Sequence, residues 1–198
     1  MEDKVTLNDT RRQIGRGMTG GLSRVLAKIG ITPNAVTVIG FLITLIAAFV
    51  ISTGSLFTGG LIFLFSSFFD MLDGAVARAT GKTTKFGGIL DATLDRLSEA
   101  AVFVAIVVYY APEANPWPLL LTGLTLAGSQ VVSYLRARSE ASGLEGKEGI
   151  FTRPERVVVL GIGLLTGWLI PALAAICLFS FITIGQRLAS AHRQLGGK

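Results

Sequence analysis

The sequence is poor in cysteine, histidine and charge. Among 198 residues there is one cysteine, Cys177, and one histidine, His192, and charged residues make up only 16%. A soluble domain usually carries about 25% charged residues. A lone cysteine excludes a disulfide framework and a CxxC metal site, and a lone histidine excludes a multi-histidine metal site. What remains is an apolar chain, 51% hydrophobic, without a Gly/Ser linker or an internal repeat.

This composition predicts one domain over residues 1–198, an all-α integral membrane protein. A transmembrane helix needs about 20 mostly apolar residues. Six stretches qualify, of which the fifth is short: Ala35–Thr53, Leu56–Ala79, Phe86–Tyr110, Trp117–Ser139, Glu155–Trp168 and Pro171–Leu188. They form a six-helix core at 34–190. The juxtamembrane segment 1–33 mixes Arg and Lys with Ile, Met, Leu and Val, which predicts an amphipathic helix on the membrane surface.

The basic residues predict the orientation of the chain. The loops near 54–55, 111–116 and 169–170 contain no Lys or Arg, whereas the turn at 78–85 and the region 136–156 are rich in them. By the positive-inside rule, these basic regions and both termini are cytoplasmic. The expected location is therefore the cell membrane, with multiple spans. The net charge of +5 favours contact with anionic lipid and not with nucleic acid.

Four aspartates lie within two of the predicted spans. Asp70 and Asp73 are three residues apart, and Asp91 and Asp95 are four apart, so each pair shares a helix face. The turn around Lys82 makes the two helices an antiparallel hairpin. Counted outward from this turn, Asp73 and Asp91 lie at a depth of about 14 Å, and Asp70 and Asp95 at about 19 Å. The hairpin is thus expected to build one four-carboxylate cluster in the cytoplasmic half of the membrane.

Such a cluster needs neutralisation, because carboxylates within a membrane are costly and usually mark a functional site. Hard divalent cations with oxygen ligands neutralise carboxylates, and Mg²⁺ commonly adds substrate phosphates as ligands. One alternative is structural pairing with nearby cations, namely Arg78, Lys82, Lys85 and Arg96. Another is a divalent-cation transporter. Against it, the acids lie toward one face of the membrane, and no acid in the other spans continues a path across it.

The spacing of these residues resembles the signature of the CDP-alcohol phosphotransferases. The pattern is Asp70-x-x-Asp73-Gly74-x-x-Ala77-Arg78, then eight residues, then Gly87-x-x-x-Asp91-x-x-x-Asp95. Eight positions match over 26 residues, and the six-helix plan and surface helix extend the resemblance over nearly the whole chain. Enzymes of this family move a phosphatidyl-type group from a CDP-linked lipid to an alcohol and release CMP.

The resemblance also implies roles for individual residues. Asp70, Asp73, Asp91 and Asp95 would hold two Mg²⁺ ions, or Mn²⁺, and Asp95 would also be the catalytic base. The donor, CDP-diacylglycerol, would be bound by residues at the start of the first helix and in the signature region: Pro33, Asn34, Ala35, Val36, Thr37, Gly74, Ala77, Arg78, Thr84 and Gly87. Members of the family are usually homodimers, so a homodimer among membrane lipids is expected.

A second group of cations predicts the acceptor. Arg136, Arg153, Arg156 and Arg187 lie on the predicted cytoplasmic side. Arg favours bidentate contact with phosphate, so the group suits an acceptor that itself carries a phosphate. Positive-inside topology alone is the competing explanation. The "RPER" and "SYLRARSE" stretches resemble the actinobacterial-type branch of the family, whose acceptor is inositol 1-phosphate and whose product is phosphatidylinositol phosphate. Glycerol 3-phosphate, giving phosphatidylglycerophosphate, is the alternative.

Overall fold

The computed structural model describes residues 32–80, 83–144 and 149–196, and all secondary-structure elements in this part of the chain are α-helices, as predicted. Its six helices are α1 Pro33–Ser52, α2 Leu56–Thr80, α3 Lys85–Tyr110, α4 Trp117–Ala141, α5 Arg153–Thr166 and α6 Leu169–Gly196. The predicted surface helix falls in residues 1–33, nearly all of which lie outside the described residues.

The helices begin and end at recognisable capping signals. Thr32 caps α1 by accepting a hydrogen bond from the Ala35 backbone N–H, and Pro33 occupies the first turn. Thr84 caps α3 in the same way through the Gly87 N–H, at 2.9 Å. Gly167 ends α5 with a φ of 75°, a left-handed conformation that glycine adopts without strain.

The predicted spans fix helix positions to within two or three residues at most ends. The largest difference is at the end of α6, which continues to Gly196, eight residues beyond the predicted span end at Leu188. Residues 189–196 are polar but include good helix formers such as Ala, Gln and Leu. The helix α6 therefore extends beyond its apolar segment.

The helices pack in an order that gathers the predicted site on one end of the bundle. α1 packs against α2 and α3, α4 packs against α6, and α5 contacts both α2 and α6. Large buried side chains fill the space between them, namely Ile51, Phe63, Phe103, Ile106, Leu164, Leu173 and Ile176. A hydrogen bond of 2.9 Å from Thr44 to Ser66 joins α1 and α2 inside this core. The start of α1 lies beside the start of α3, and the start of α5 contacts Asp70 of α2.

The outer surface is apolar, as expected for a protein in lipid. Among the described helices, α1, α4 and α6 are long and apolar enough to cross a membrane. Large hydrophobic side chains such as Phe49 and Phe57 are mostly exposed. Trp117 and Trp168, 70% and 72% exposed, lie where α4 begins and just after α5 ends. Tryptophan is enriched at membrane interfaces, so the two residues fit one interfacial level at the end opposite the aspartates.

Candidate active site

Asp70 sits in α2 with its carboxylate against α1. A Cβ atom at Gly40 of α1 would lie 2.6 Å from Oδ1 of Asp70, well inside van der Waals contact. The missing side chain at position 40 therefore provides the room that the carboxylate occupies. Sequence reasoning missed Gly40, because its function depends on which residue of α2 crosses α1 at that level.

One arginine joins the two halves of the predicted carboxylate cluster. The Nη2 atom of Arg153 lies 2.8 Å from Oδ2 of Asp70 and 2.9 Å from Oδ1 of Asp95. Arginine stays protonated in proteins, so Arg153 is a cation that bridges α2 and α3. Asp70 and Asp95 meet at one level, as the depth count predicts, while their observed partner is Arg153.

All four predicted acceptor arginines line one cavity of about 320 Å³ together with two of the aspartates. Its charged lining comprises Asp91, Asp95, Arg96, Arg136, Glu140, Arg153, Arg156 and Arg187. Arg136 is exposed and pairs with Glu140 at 3.0 Å. Arg187 is only 6% exposed and donates a hydrogen bond to the Val132 carbonyl. Cationic and anionic groups thus line the same cavity, beside the hairpin of α2 and α3.

A short loop fixes the start of α5 and so the position of Arg153. Gly149, with a φ of 119°, lies so close to α6 that a Cβ there would be 2.6 Å from Cγ2 of Thr183. The Ile150 N–H donates to Oε1 of Gln186 at 3.1 Å, and the ring centroids of Phe151 and Phe179 lie 5.5 Å apart. Glu155 then accepts a hydrogen bond from the Thr152 N–H, closing a capping box.

The predicted donor-binding residues form a second group, at the start of α1 and α3. A Cβ at Gly87 would lie 3.0 Å from both Oδ1 of Asn34 and Oγ1 of Thr84, so these three residues are adjacent. Val36 and Thr37 are buried in α1. The described lining of the 320 Å³ cavity includes none of these residues, but Gly87 lies one helical turn before Asp91, which lines it.

The remaining predicted donor residues lie in the first turn of α1 and along α2. Pro33 and Ala35 are half-buried in the first turn of α1, and Ala77 is half-buried in α2. Asp73, Gly74 and Arg78 belong to α2, but their side-chain surroundings lie outside what the structure describes.

The carboxylate chemistry of the hairpin fits a divalent cation. Asp70 and Asp95 already converge on one cationic nitrogen, and hard oxygen donors are the ligands that Mg²⁺ and Mn²⁺ prefer. Among the described residues, no three acidic, histidine or cysteine side chains form a ligand set by themselves. The donors present therefore suit an ion that takes further ligands from elsewhere, such as substrate phosphates.

Comparison with known proteins connects this site to a family. The family model described as CDP-alcohol phosphatidyltransferase matches residues 30–188. The chain is 42% identical over 182 residues to the phosphatidylinositol phosphate synthase of Mycobacterium marinum, covering 86% of this chain and 78% of that protein. It is 41% identical over 175 residues to the archaetidylinositol phosphate synthase of Pyrococcus horikoshii, covering 88% and 90%.

Two crystal structures of Mycobacterium tuberculosis phosphatidylinositol phosphate synthase share the fold. The structure with CDP-DAG bound superposes with a TM-score of 0.81 at 37% identity and covers 88% of this chain and 93% of that one. The complex with manganese and citrate has a TM-score of 0.80 at 38% identity, covering 87% and 88%. With a hairpin that carries the full aspartate signature and a family match over most of its length, this chain belongs to the CDP-alcohol phosphatidyltransferase family.

Proposed function

We propose that this protein transfers a phosphatidyl group from CDP-diacylglycerol to inositol 1-phosphate, forming phosphatidylinositol phosphate and releasing CMP. The observation that carries the proposal is the shared cavity, whose lining includes Asp91, Asp95 and five arginines, namely Arg96 and the four predicted acceptor arginines. Carboxylates and guanidinium groups in one cavity suit an acceptor that has both a reactive hydroxyl and a phosphate. The phosphatidylinositol phosphate synthase and archaetidylinositol phosphate synthase relatives, at 42% and 41% identity, support an inositol phosphate acceptor.

In this proposal Asp70, Asp73, Asp91 and Asp95 hold two Mg²⁺ ions, or Mn²⁺. When bound, divalent ions neutralise the pyrophosphate of the donor and stabilise charge on the leaving phosphate. A relative that was solved with manganese supports the choice of a divalent ion. The donor is bound where α1 and α3 begin, by the group that includes Asn34, Thr84 and Gly87, with Gly74, Ala77 and Arg78 of α2. The starts of both helices favour anions, because their backbone N–H groups and dipoles point at the ligand.

Asp95 acts as the general base. It accepts the proton of the acceptor hydroxyl while that oxygen attacks the lipid-linked phosphorus, and the bond from this phosphorus to the oxygen of CMP breaks. The position of Asp95 in the lining of the arginine-rich cavity supports this role. An acceptor phosphate held by Arg153 would place the rest of the acceptor beside the base.

The proposal includes the membrane arrangement. The chain forms a single domain with six transmembrane helices and an N-terminal surface helix, as a homodimer in the cell membrane, with the active site and both termini on the cytoplasmic side. Three long apolar helices and the two exposed tryptophans at the opposite end support this arrangement.

Replacing Arg187 by alanine should weaken acceptor binding. Arg187 is buried in the cavity wall, and a hydrogen bond to a charged phosphate is strong, so the acceptor KM should rise about tenfold or more. The KM for CDP-diacylglycerol should stay within about twofold. The control is Arg138→Ala, which removes an exposed cation from α4 that does not belong to the described cavity lining. If Arg187→Ala and Arg138→Ala raise the acceptor KM equally, acceptor binding depends on general positive charge and not on a phosphate pocket.

Gly149→Ala should also impair acceptor binding, through the loop that positions α5. The new Cβ would collide with Thr183 and lie 3.2 Å from Nε of Arg187, in a backbone conformation that strains a side chain. We expect the acceptor KM to rise about tenfold. Gly143→Ala is the matched control, since Gly143 also has a positive φ, of 74°, but nothing lies within 4 Å of its added Cβ. Unchanged acceptor kinetics of Gly149→Ala would show that this loop does not shape the site.

The direct test uses purified protein in liposomes that contain CDP-diacylglycerol, with inositol 1-phosphate and Mg²⁺ or Mn²⁺ in solution. We expect CMP and phosphatidylinositol phosphate in equal amounts, and neither product after a chelator is added. Release of CMP without a lipid product, or full activity in chelator, would contradict the proposal.

A further inference from the structure

A third acid extends the line of aspartates on α3. Glu99 follows Asp95 by four residues, as Asp95 follows Asp91, so all three lie on one helix face. The side chain of Glu99 is only 12% exposed and lies one turn deeper than the signature. A carboxylate at that depth is costly unless it is paired, and the signature does not require it.

Glu99 forms an ion pair with Arg156, one of the arginines that line the acceptor cavity. Its Oε1 accepts from Nε of Arg156 at 2.9 Å and from Oγ of Ser129 at 2.6 Å, and its Oε2 lies 3.4 Å from Nη2 of Arg156. The same Nη2 donates to Oγ of Ser133 at 3.2 Å. Residues of α3 and α4 thus hold the Arg156 guanidinium from two sides, and Arg156 is 2% exposed.

One nitrogen of this guanidinium is left over. Nη1 of Arg156 is buried and has no hydrogen-bond partner among the described residues. A buried donor without a partner is unfavourable, and it gains most from a ligand or a water molecule that can accept its hydrogen bonds. Arg156 also lines the cavity that holds Asp95 and the other arginines.

We infer that Glu99 is a positioning residue for the acceptor: it fixes Arg156 through two nitrogens so that the third serves the acceptor phosphate. This inference rests on the proposed function. It also follows from the order of charges on α5, where Arg153 and Arg156 are three residues apart and meet Asp95 and Glu99, which are four apart on α3. The deeper pair holds α5 in the register at which Arg153 reaches the base.

A purely structural role for Glu99 makes a different prediction. Buried ion pairs often add little to stability, but loss of one partner is strongly destabilising because it leaves an uncompensated charge. A packing role would therefore lower thermal stability and affect both substrates alike. A positioning role affects the acceptor selectively, and only while Arg156 is present.

The test compares Glu99→Gln, Arg156→Gln and the double variant in detergent or liposomes. Glutamine keeps the shape of Glu99 but loses its charge, and the double variant leaves no buried charge unpaired. We expect Glu99→Gln to raise the KM for inositol 1-phosphate about tenfold and leave the KM for CDP-diacylglycerol within about twofold. In the double variant the acceptor KM should match that of Arg156→Gln, because the two changes act through one guanidinium.

Thr125→Val is the matched control, since it removes a buried hydrogen bond of 3.2 Å between α4 and α6 outside the described cavity lining. It should lower stability without changing either KM. Additive effects in the double variant, or equal rises of both KM values in Glu99→Gln, would overturn the inference. If the wild type uses glycerol 3-phosphate instead, the proposed acceptor is wrong. The same comparison of KM values among the three variants, made with glycerol 3-phosphate, still tests the role of Glu99.

Discussion

Replacing Asp95 by asparagine is expected to lower kcat by about 10³-fold while CDP-diacylglycerol still binds. Asparagine matches the shape of aspartate, but its amide cannot take a proton from the acceptor hydroxyl. Asp95 lines the acceptor cavity and contacts Arg153 at 2.9 Å. The rate of CMP release measures kcat, and the rise in melting temperature on addition of CDP-diacylglycerol measures donor binding.

Glu113→Gln serves as the control for this variant, because it makes the same change of charge in the exposed loop between α3 and α4. Its CMP release should equal that of the wild type. If Asp95→Asn releases CMP at a near-normal rate, the base must be another group. If the variant loses the thermal shift with donor as well, Asp95 contributes to donor binding and the loss of turnover does not identify a base.

Gly40→Ala is expected to lower activity about 10²-fold, although the change adds a single methyl group far from the signature in sequence. The new Cβ would lie 2.6 Å from Oδ1 of Asp70, and Asp70 is held on its other side by Arg153 at 2.8 Å. The carboxylate must therefore move or α1 must shift. Either displacement misplaces a proposed metal ligand, so the concentration of Mn²⁺ needed for half-maximal activity should rise.

The matched control is Gly123→Ala in α4, where nothing lies within 4 Å of the added Cβ. Alanine favours a helix over glycine, so this variant should be as stable as the wild type or more stable. Its activity and Mn²⁺ dependence should not change. An active Gly40→Ala with normal Mn²⁺ dependence would show that the position of Asp70 against α1 is unimportant.

Much of this architecture could be predicted from the sequence, because the signals are local. Apolar length located all six helices, and the change from apolar to polar residues marks most of their ends. The spacing of Asp70, Asp73, Asp91 and Asp95 around one turn sets their relative depth by helix geometry alone. The structure accordingly brings Asp70 and Asp95 to one nitrogen of Arg153.

The contacts between distant helices could not be predicted in the same way. Arg153 and Asp70 are 83 residues apart, and their pairing depends on how α5 is rotated and shifted against the hairpin. The alternative of structural pairing considered only the cations nearest in sequence, namely Arg78, Lys82, Lys85 and Arg96. The roles of Gly40 and Glu99 also depend on contacts between helices. For Glu99, the four-residue spacing from Asp95 does indicate that the two acids share a helix face.

The most direct measurement is the rate of CMP release from CDP-diacylglycerol with inositol 1-phosphate, inositol, glycerol 3-phosphate and serine offered in parallel. A cavity that joins Asp95 to five arginines predicts fast release with inositol 1-phosphate, and little with inositol or serine, which lack a phosphate. Glycerol 3-phosphate should rank below inositol 1-phosphate. Equal rates with inositol and inositol 1-phosphate would contradict a phosphate-binding acceptor site, and no release with any of the four would contradict the proposed reaction.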